Sequence, residues 1–303
     1  MNESQKHAVV TGGAGFIGSH LVEALLQRGY AVSVIDSLVA GKKDRVPKEA
    51  ALHVADVRDV AALQPLLAHA DVVFHLAALP RVEYSIQHPV ETHEVNVTGT
   101  VNVLSSVGKG TRVVLASSAA VYGNLDVPLL SEELAGTPVS PYGLHKYVSE
   151  KYLALAHTLY DIETVSLRFF NVYGPRFDPE GPYALVVGRF LKMRKEGKPL
   201  PIVGDGTQTR DYVHMRDIVA ALVAAGESPN VGRGEVMNIG TGRGTSVNEL
   251  ADAFGGDREY IAPRIEPKTS CADVRRAKEL LGFEATVALA DGISELKREY
   301  GIL

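Results

Sequence analysis

Short, nearly continuous apolar runs alternate with longer mixed segments through the first half of the chain. The runs are rich in Val, as is typical of strands that are covered on both faces. The pattern predicts buried strands at 7–12, 31–36, 51–56, 71–78, 111–118 and 163–170, and helices at 16–28, 59–68, 88–107 and 141–159. This alternation favours a parallel sheet with helices on both sides, and ligands then bind beyond the carboxyl ends of the strands.

The pattern changes after Asn171, and the segment 172–183 is rich in Pro and Gly, as loops are. The stretch 188–217 predicts a helix, a short strand and a tight polar turn. Later elements are predicted as a helix at 218–226, a strand at 235–240, and helices at 246–254, 273–281 and 287–300. We therefore expect an α/β fold, a doubly wound parallel sheet of the Rossmann type with a smaller mixed α/β C-terminal lobe that binds substrate.

The composition is that of a globular protein with a sizeable core, since 46% of the 303 residues are hydrophobic and 22% are charged. The net charge of −5, without long runs of Lys or Arg, gives no support for a nucleic-acid or anionic-membrane partner. The one cysteine, Cys271, fits a reducing cytosol, and the ten histidines show no metal-binding spacing. With neither a signal-peptide core nor a membrane-length apolar run, the expected location is cytoplasmic.

A glycine-rich stretch, TGGAGFIGSH (11–20), follows the first predicted strand and opens the first helix. Gly12, Gly15 and Gly18 allow a tight turn and close backbone approach, so that the helix N-terminus faces a pyrophosphate. Asp36, at the end of the second strand, is suited to accept hydrogen bonds from an adenosine ribose and to repel a 2′-phosphate. The stretch predicts NAD rather than NADP as the cofactor; the alternative is a structural turn followed by a capping Asp.

A tyrosine and a lysine stand one helical turn apart in SPYGLHK (140–146). Ser140 suits an N-cap and Pro141 the first helical position, so Tyr142 and Lys146 share one face of a helix. An adjacent ammonium and a nicotinamide cation both favour the phenolate, which an isolated tyrosine forms only near a pKa of about 10. Ser118, at the end of the fifth strand, would hydrogen-bond a substrate oxygen. The alternative is a surface pair on a helix.

These stretches, together with SSAAVYG (117–123), LRFFNVYGPR (167–176) and GDGTQTRDYVH (204–214), resemble the extended short-chain dehydrogenase/reductase family. The resemblance is strongest to its NAD-dependent nucleotide-sugar epimerases of the UDP-glucose 4-epimerase type, and it runs in order from about residue 7 to about residue 300. It implies a Rossmann domain that binds NAD at 1–171 with about 212–241, and a nucleotide-sugar lobe at 172–211 and 242–303.

The resemblance also implies a role for each matching residue. Tyr142 is the acid/base, Lys146 lowers its pKa and holds the nicotinamide ribose, and Ser118 orients the 4-oxygen. Asp56 is implied beside adenine and Phe170 near the nicotinamide. The other cofactor positions are Gly12, Gly15, Phe16, Ile17, Gly18, Asp36, Val57, Leu76, Ala77, Ala78, Asn96 and Ser117. Substrate positions, besides Ser118 and Tyr142, are Asn171 and Arg210 on the diphosphate, Val186, Arg264, Glu266 and Ser270.

Two of these assignments have alternatives that the residues alone leave open. Arg210 lies in a Gly- and Thr-rich turn where its guanidinium would meet a diphosphate, but it would equally form a surface ion pair with Asp211 or Asp205. Asn171 would equally cap the change from strand to loop.

The implied reaction is a transient oxidation at C4 of a UDP-hexose, rotation of the 4-keto sugar and reduction from the opposite face. Relatives that dehydrate or decarboxylate resemble one another in an acidic residue just after the Ser/Thr, where this chain has Ala119 and Ala120. Simple epimerisation is therefore favoured over those reactions. A heptose 6-epimerase, whose usual NADP preference conflicts with Asp36, and a non-catalytic dinucleotide sensor are the remaining alternatives.

Sugar selectivity is predicted at KTSCAD (268–273), which resembles the pocket wall of these epimerases. Ser270 occupies the position that gates the 2-substituent, and a small residue there leaves room for an N-acetyl group. The sequence thus predicts that UDP-GlcNAc and UDP-GalNAc are accepted as well as UDP-glucose and UDP-galactose. The resemblance further implies a homodimer formed through the helices at 88–107 and 141–159.

Overall fold

The computed structural model describes residues 5–125, 127–134, 136–177, 186–263 and 267–302. The strands are β1 His7–Thr11, β2 Ala31–Asp36, β3 Ala51–Val54, β4 Val72–His75, β5 Arg112–Ser118, β6 Glu163–Phe169, β7 Asn171–Tyr173, β8 Leu200–Val203, β9 Thr209–Arg210, β10 Tyr212–His214, β11 Arg233–Ile239, β12 Thr245–Ser246, β13 Arg258–Ile261 and β14 Thr269–Ser270. The helices are α1 Phe16–Gln27, α2 Val60–Leu67, α3 Val82–Gln87, α4 Pro89–His93, α5 Gly99–Ser106, α6 Pro141–Tyr160, α7 Val186–Lys195, α8 Met215–Glu227, α9 Val247–Phe254, α10 Arg275–Leu281 and α11 Leu289–Glu299.

A seven-stranded sheet in the order β11-β6-β5-β4-β1-β2-β3 forms the centre of the molecule, and every pairing in it is parallel. The strand order reverses between β1 and β4, so loops leave the sheet in opposite directions there and open a crevice at its carboxyl edge. This confirms the predicted doubly wound sheet with a C-terminal α/β region.

Neighbouring residues of each central strand bury their side chains on opposite faces, which explains the continuous Val runs. Val10 and Val114 pack in a cluster with side chains of α1, α8 and α10. Val9 and Val113 pack instead against α2, α5 and α6.

A separate apolar cluster lies outside the large sheet and draws on α7, β8, α9 and α11. Its fully buried members include Phe190, Ile202, Phe254 and Leu296. Smaller sheets join this region to the crevice: β7 pairs with β10, β8 with β13, and β9 lies between β12 and β14. The predicted residue boundaries between the two lobes stay a prediction.

Besides small shifts of element ends and short elements that were not predicted, such as α3 and β13, three predictions differ from the observed structure. The single helix predicted at 88–107 is divided into α4, a π-helical turn at Glu94–Thr98 and α5. The strand predicted at 71–78 ends at His75, and β7 lies at the start of the segment predicted as loop. Among the residues that the structure describes, no helix is apolar over a length that would cross a bilayer.

Candidate active site

The glycine loop between β1 and α1 has glycines at positions where a side chain would clash with nearby backbone. Gly12 has φ of +73°, and a Cβ there would lie 2.8 Å from the backbone nitrogen of Ala77. A Cβ on Gly18 would lie 2.2 Å from the carbonyl oxygen of Gly12. Gly15 caps α1 without a side-chain hydrogen bond, and the first turn carries no acidic residue. The loop therefore fits the pyrophosphate of a dinucleotide, whose charge suits the positive end of the helix.

Asp36 lies beside this loop at the end of β2 and is buried. Its carboxylate accepts hydrogen bonds from the backbone N–H groups of Ala14, at 3.0 Å, and Leu38, at 2.8 Å. A carboxylate accepts about four hydrogen bonds, so two further sites remain for the hydroxyls of a ribose. An added phosphate dianion would meet this negative charge, and the residues present fit NAD better than NADP.

The predicted cofactor positions after β4 are held against the glycine loop by a buried polar network. Thr11 Oγ1 accepts a hydrogen bond from the Ala77 N–H at 3.2 Å and shares another with His75 Nδ1 at 2.8 Å. The Asn96 side chain accepts from the Leu79 N–H at 2.7 Å and donates to the Leu79 carbonyl at 3.0 Å. Asn96, on the π-helical turn, thus fixes the backbone that carries the predicted positions Leu76, Ala77 and Ala78.

Asp56, predicted beside adenine, forms an ion pair with Arg58 whose Oδ2–Nη2 distance is 2.7 Å. This pairing lowers the pKa of the Asp56 carboxyl below its ordinary value. The following residue, Val57, is buried in the cluster under α2 and α5. The contact of this acid with adenine stays a prediction.

Ser118 and Tyr142 are brought together where β5 meets the start of α6. Ser140 accepts a hydrogen bond from the Gly143 N–H at 3.1 Å and Pro141 occupies the first turn, as the sequence predicts for a helix start. A Cβ on Gly143 would lie 2.5 Å from the Ala120 carbonyl oxygen, so α6 packs directly on the turn that follows Ser118. The hydroxyl of Ser118 lies close enough to the Tyr142 phenol to lower the pKa of that phenol.

Lys146 lies one turn beyond Tyr142 on the same buried face of α6. Its Nζ donates a hydrogen bond to the Ala116 carbonyl at 2.7 Å, two residues before Ser118. Burial lowers the pKa of Lys146 to about 8, against the raising effect of Glu150. The ammonium is therefore held at the carboxyl end of β5, beside the residue pair predicted to be catalytic.

The phenol of Tyr142 is not acidified by the protein alone. Burial raises its pKa to about 12, against the lowering effect of the nearby Ser118 hydroxyl. In the chain alone the Lys146 ammonium is directed to the Ala116 carbonyl, and burial dominates the pKa of the phenol. The lowering by Lys146 beside a nicotinamide cation stays a prediction. Activity as a base at neutral pH would require positive charge close to the phenol oxygen.

A buried ion pair behind these residues was not predicted from the sequence. The Glu150 and Arg168 side chains are 0% and 2% exposed and approach to 2.7 Å. Glu150 also accepts a hydrogen bond from Ser117 Oγ at 2.5 Å. The available signal was that Glu150 lies two turns beyond Tyr142 on the same helix face, and that Arg168 interrupts an apolar strand.

Two predicted substrate residues are adjacent in the small sheet at the crevice. β9 pairs with β14 so that Arg210 lies opposite Ser270, and with β12 so that Arg210 lies opposite Thr245. The acids that the alternative assignment would pair with Arg210 have other partners. Asp211 is buried and accepts from the N–H groups of Thr241, Gly242 and Ala272, while Asp205 accepts from Thr207.

The remaining predicted substrate residues are distributed around this sheet. The backbone N–H and Nδ2 of Asn171 both donate to the Asp211 carbonyl, at 3.0 and 2.9 Å. Phe170 is buried against Tyr122, with ring centroids 6.3 Å apart, and Val186 begins α7. Arg264 and Glu266 lie outside the described residues.

Residues 8–240 match the model of the NAD dependent epimerase/dehydratase family. The chain is 39% identical to the UDP-glucose 4-epimerase of Mycolicibacterium smegmatis over 304 residues, which cover 95% of this chain and 96% of the relative.

Three solved structures share the whole fold. The UDP-glucose 4-epimerase of Thermotoga maritima with UDP-glucose is 36% identical, with a TM-score of 0.89 and coverage of 97% of this chain and 98% of that one. The UDP-N-acetylglucosamine 4-epimerase of Methanobrevibacter ruminantium, in complex with UDP-N-acetylmuramic acid, is 31% identical, with a TM-score of 0.88 and coverage of 98% and 100%. The UDP-glucuronic acid 4-epimerase of Bacillus cereus, in complex with UDP-glucuronic acid and NAD, is 32% identical, with a TM-score of 0.85 and coverage of 98% and 98%.

These matches confirm the resemblance and the predicted cofactor, NAD. They extend over the sheet, the glycine loop and the crevice described above. The chain therefore belongs to the NAD-dependent epimerase/dehydratase family, the extended short-chain dehydrogenases/reductases, among its UDP-sugar epimerases.

Proposed function

We propose that this protein inverts C4 of a UDP-hexose, with Tyr142 as the group that moves the proton of the 4-hydroxyl. The observation that carries the proposal is the buried phenol of Tyr142, which lies beside the Ser118 hydroxyl at the carboxyl edge of the sheet. Both hydroxyls belong to elements that are fixed, one by the Ser140 cap of α6 and the other by its place in β5. A sugar oxygen that joins this pair would meet a donor and an acceptor at once.

Each residue then has a defined task. When bound, NAD supplies a hydride acceptor and donor for the sugar carbon and, in its oxidised form, a positive charge. Tyr142 takes the proton from O4 and later returns it, Ser118 orients O4, and Lys146 contributes a fixed ammonium. Bringing the Tyr142 pKa from about 12 to near 7 corresponds to roughly 7 kcal/mol of differential stabilisation of the phenolate. The site must therefore concentrate positive charge at the phenol.

Epimerisation is favoured over elimination by the residues that follow Ser118. The turn Ala119–Tyr122 begins directly after it, and its first two side chains are methyl groups. Neither offers a carboxylate that would remove a second proton from the sugar or assist loss of carbon dioxide.

The test is Tyr142→Phe, with Tyr152→Phe, which is exposed on the same helix, as the matched control. Purified protein is assayed with UDP-glucose, UDP-galactose, UDP-GlcNAc, UDP-GalNAc and UDP-glucuronic acid. General acid–base catalysis contributes about 100- to 10,000-fold, so we expect a loss of about that size in Tyr142→Phe and none in the control. Undiminished inversion by Tyr142→Phe would refute the proposed role. Absorbance near 340 nm after addition of sugar separates an enzyme, which forms reduced cofactor transiently, from a dinucleotide sensor, which does not.

We further propose that Ser270 makes room for a 2-N-acetyl group, so that both plain and N-acetylated UDP-hexoses are substrates. Support comes from the small side chain at 270 and its place opposite Arg210, the predicted diphosphate ligand. Ser270→Tyr should abolish activity on UDP-GlcNAc and spare activity on UDP-glucose. Thr269→Tyr adds the same bulk to the opposite face of β14 and is the control. Equal loss of both activities in Ser270→Tyr would contradict the assignment.

The predicted homodimer is part of the proposal and is supported by an exposed apolar surface. α6 exposes Leu155 and Leu159, and Ile86 and Val90 are exposed on the neighbouring α3 and α4. Mass measurement by light scattering should give a dimer that Leu155→Glu converts to a monomer. Val54→Glu, at an exposed apolar residue on β3, should leave the dimer intact. A monomeric unmodified protein would overturn this part without affecting the reaction.

A further inference from the structure

Three functional groups follow one another at one-turn intervals along the buried face of α6. They are the phenol of Tyr142, the ammonium of Lys146 and the carboxylate of Glu150. Glu150 is only 1% exposed, less than either of the other two. A buried carboxylate is costly unless it is paired, so its position two turns from Tyr142 requires an explanation.

The contacts of Glu150 and Lys146 converge on consecutive residues of β5. Glu150 Oε1 accepts from Ser117 Oγ at 2.5 Å, and Lys146 Nζ donates to the Ala116 carbonyl at 2.7 Å. Arg168 lies directly opposite Ser117 in the pairing of β5 with β6, and donates to both Glu150 oxygens at 2.9 and 2.7 Å. The end of β5, from which Ser118 emerges, is thus held by α6 on one side and by β6 on the other.

The charges around Lys146 give Glu150 a second role. His75, from β4, and His145, on α6, are both buried, and burial lowers their pKa values to about 3 and about 4, so both are neutral near pH 7. Tyr142 is neutral there as well, since burial raises its pKa to about 12. Glu150 is the group whose charge favours the protonated form of Lys146, and Arg168 is the countercharge of Glu150.

We propose that Glu150 is a positioning residue that keeps Lys146 charged inside the protein and holds the end of β5 in line with Tyr142. The importance of Glu150 for catalysis rests on the proposed function, in which Lys146 acts as an ammonium. A purely structural ion pair would hold the strand equally well but would leave the protonation of Lys146 unchanged. The two readings therefore differ in a measurable quantity, the pH at which Lys146 loses its proton.

The experiment measures that pH directly, on the full chain without added cofactor or substrate. The protein is labelled with [ε-¹³C]lysine, and the Lys146 resonance is identified by its absence from Lys146→Met. We expect the titration midpoint to fall by about one pH unit in Glu150→Gln, which keeps the shape of the side chain and removes its charge. Ser117→Ala, which removes the 2.5 Å hydrogen bond but no charge, should titrate like the unmodified protein.

The activity profile provides the second readout. The alkaline limb of kcat should move to lower pH in Glu150→Gln by the same amount, whereas a structural role would lower kcat or Tm without moving the limb. If Glu150→Gln does not fold, the double variant Glu150→Gln/Arg168→Gln removes both charges of the pair. A fall in the midpoint is again expected, and it should be smaller because the more distant Arg168 cation is removed as well. An unchanged midpoint in either folded variant overturns the proposal. Because the titration needs no turnover, failure of epimerase activity would count against the proposed function and leave this result standing.

Discussion

His75 makes the stability of the protein depend on pH. The imidazole is fully buried at the end of β4, where its ring nitrogens contact Thr11 Oγ1 at 2.8 Å and Thr100 Oγ1 at 3.0 Å. Burial, and secondarily the charge of Lys146, lowers its pKa from 6.5 to about 3. Replacing it by His75→Asn removes the titrating group from the network that supports Ala77.

The direction in which stability changes with pH depends on whether the folded or the unfolded state binds the proton. Between pH 6.5 and about 3 the unfolded chain protonates this histidine while the folded protein does not, so stability falls as the pH is lowered through that window. Each pH unit within it corresponds to about 1.4 kcal/mol. Lowering the pH from 7.5 to 5 should therefore cost about 2 kcal/mol through His75 alone. The buried His145 and His214 and the partly buried His20, whose pKa values are also lowered by burial, add to the total in every variant.

The assay is reversible urea unfolding at pH 7.5 and pH 5. The quantity compared is the loss of unfolding free energy between the two pH values, which should be about 2 kcal/mol smaller in His75→Asn than in the unmodified protein. His69→Asn, at an exposed site, is the control and should behave like the unmodified protein. If His75→Asn loses as much stability as the control, the burial argument is wrong.

Two further variants test how the ends of helices build the site. Gly18→Ala places a Cβ 2.2 Å from the Gly12 carbonyl oxygen. We expect at least tenfold weaker NAD binding by calorimetry and a free energy of unfolding lower by about 1–3 kcal/mol. Gly15→Ala, where the corresponding contact is 3.1 Å, should have a smaller effect. Equal effects of the two would contradict the packing argument. Ser140→Ala removes the cap of α6 and should lower the unfolding free energy by about 1 kcal/mol, and no change would show that Pro141 alone fixes the helix start.

The central sheet and the start of α6 were predictable because the determining signals are local. The predicted strand at 31–36 coincides with β2, and the predicted helix at 141–159 differs from α6 by one residue. The Val-rich runs indicate strands, and the Ser140–Pro141 pair indicates the start of a helix, without reference to any distant residue. The glycine loop is likewise local, since Gly12 and Gly18 contact each other.

The features that escaped prediction depend on contacts between distant residues. The break in the predicted helix at 88–107 coincides with Asn96, whose side chain binds the backbone of Leu79. The sequence does not show that Glu150 and Arg168 pair with each other, because only the fold brings the two side chains together and buries both. The raised pKa of Tyr142 has the same origin, since burial is a property of the assembled interior rather than of the SPYGLHK stretch.

The position of β9 between β12 and β14 has a consequence for how the molecule is made. Both flanking strands follow β9 in the chain, and the last of them ends at Ser270, whereas the glycine loop and α6 are complete by residue 160. On a ribosome, where chains fold from the N-terminus onward, the dinucleotide crevice would take shape while the wall beside Arg210 is still being synthesised. A nascent chain halted shortly before β14 would thus contain the glycine loop and α6 but lack Ser270, the residue proposed to select the sugar.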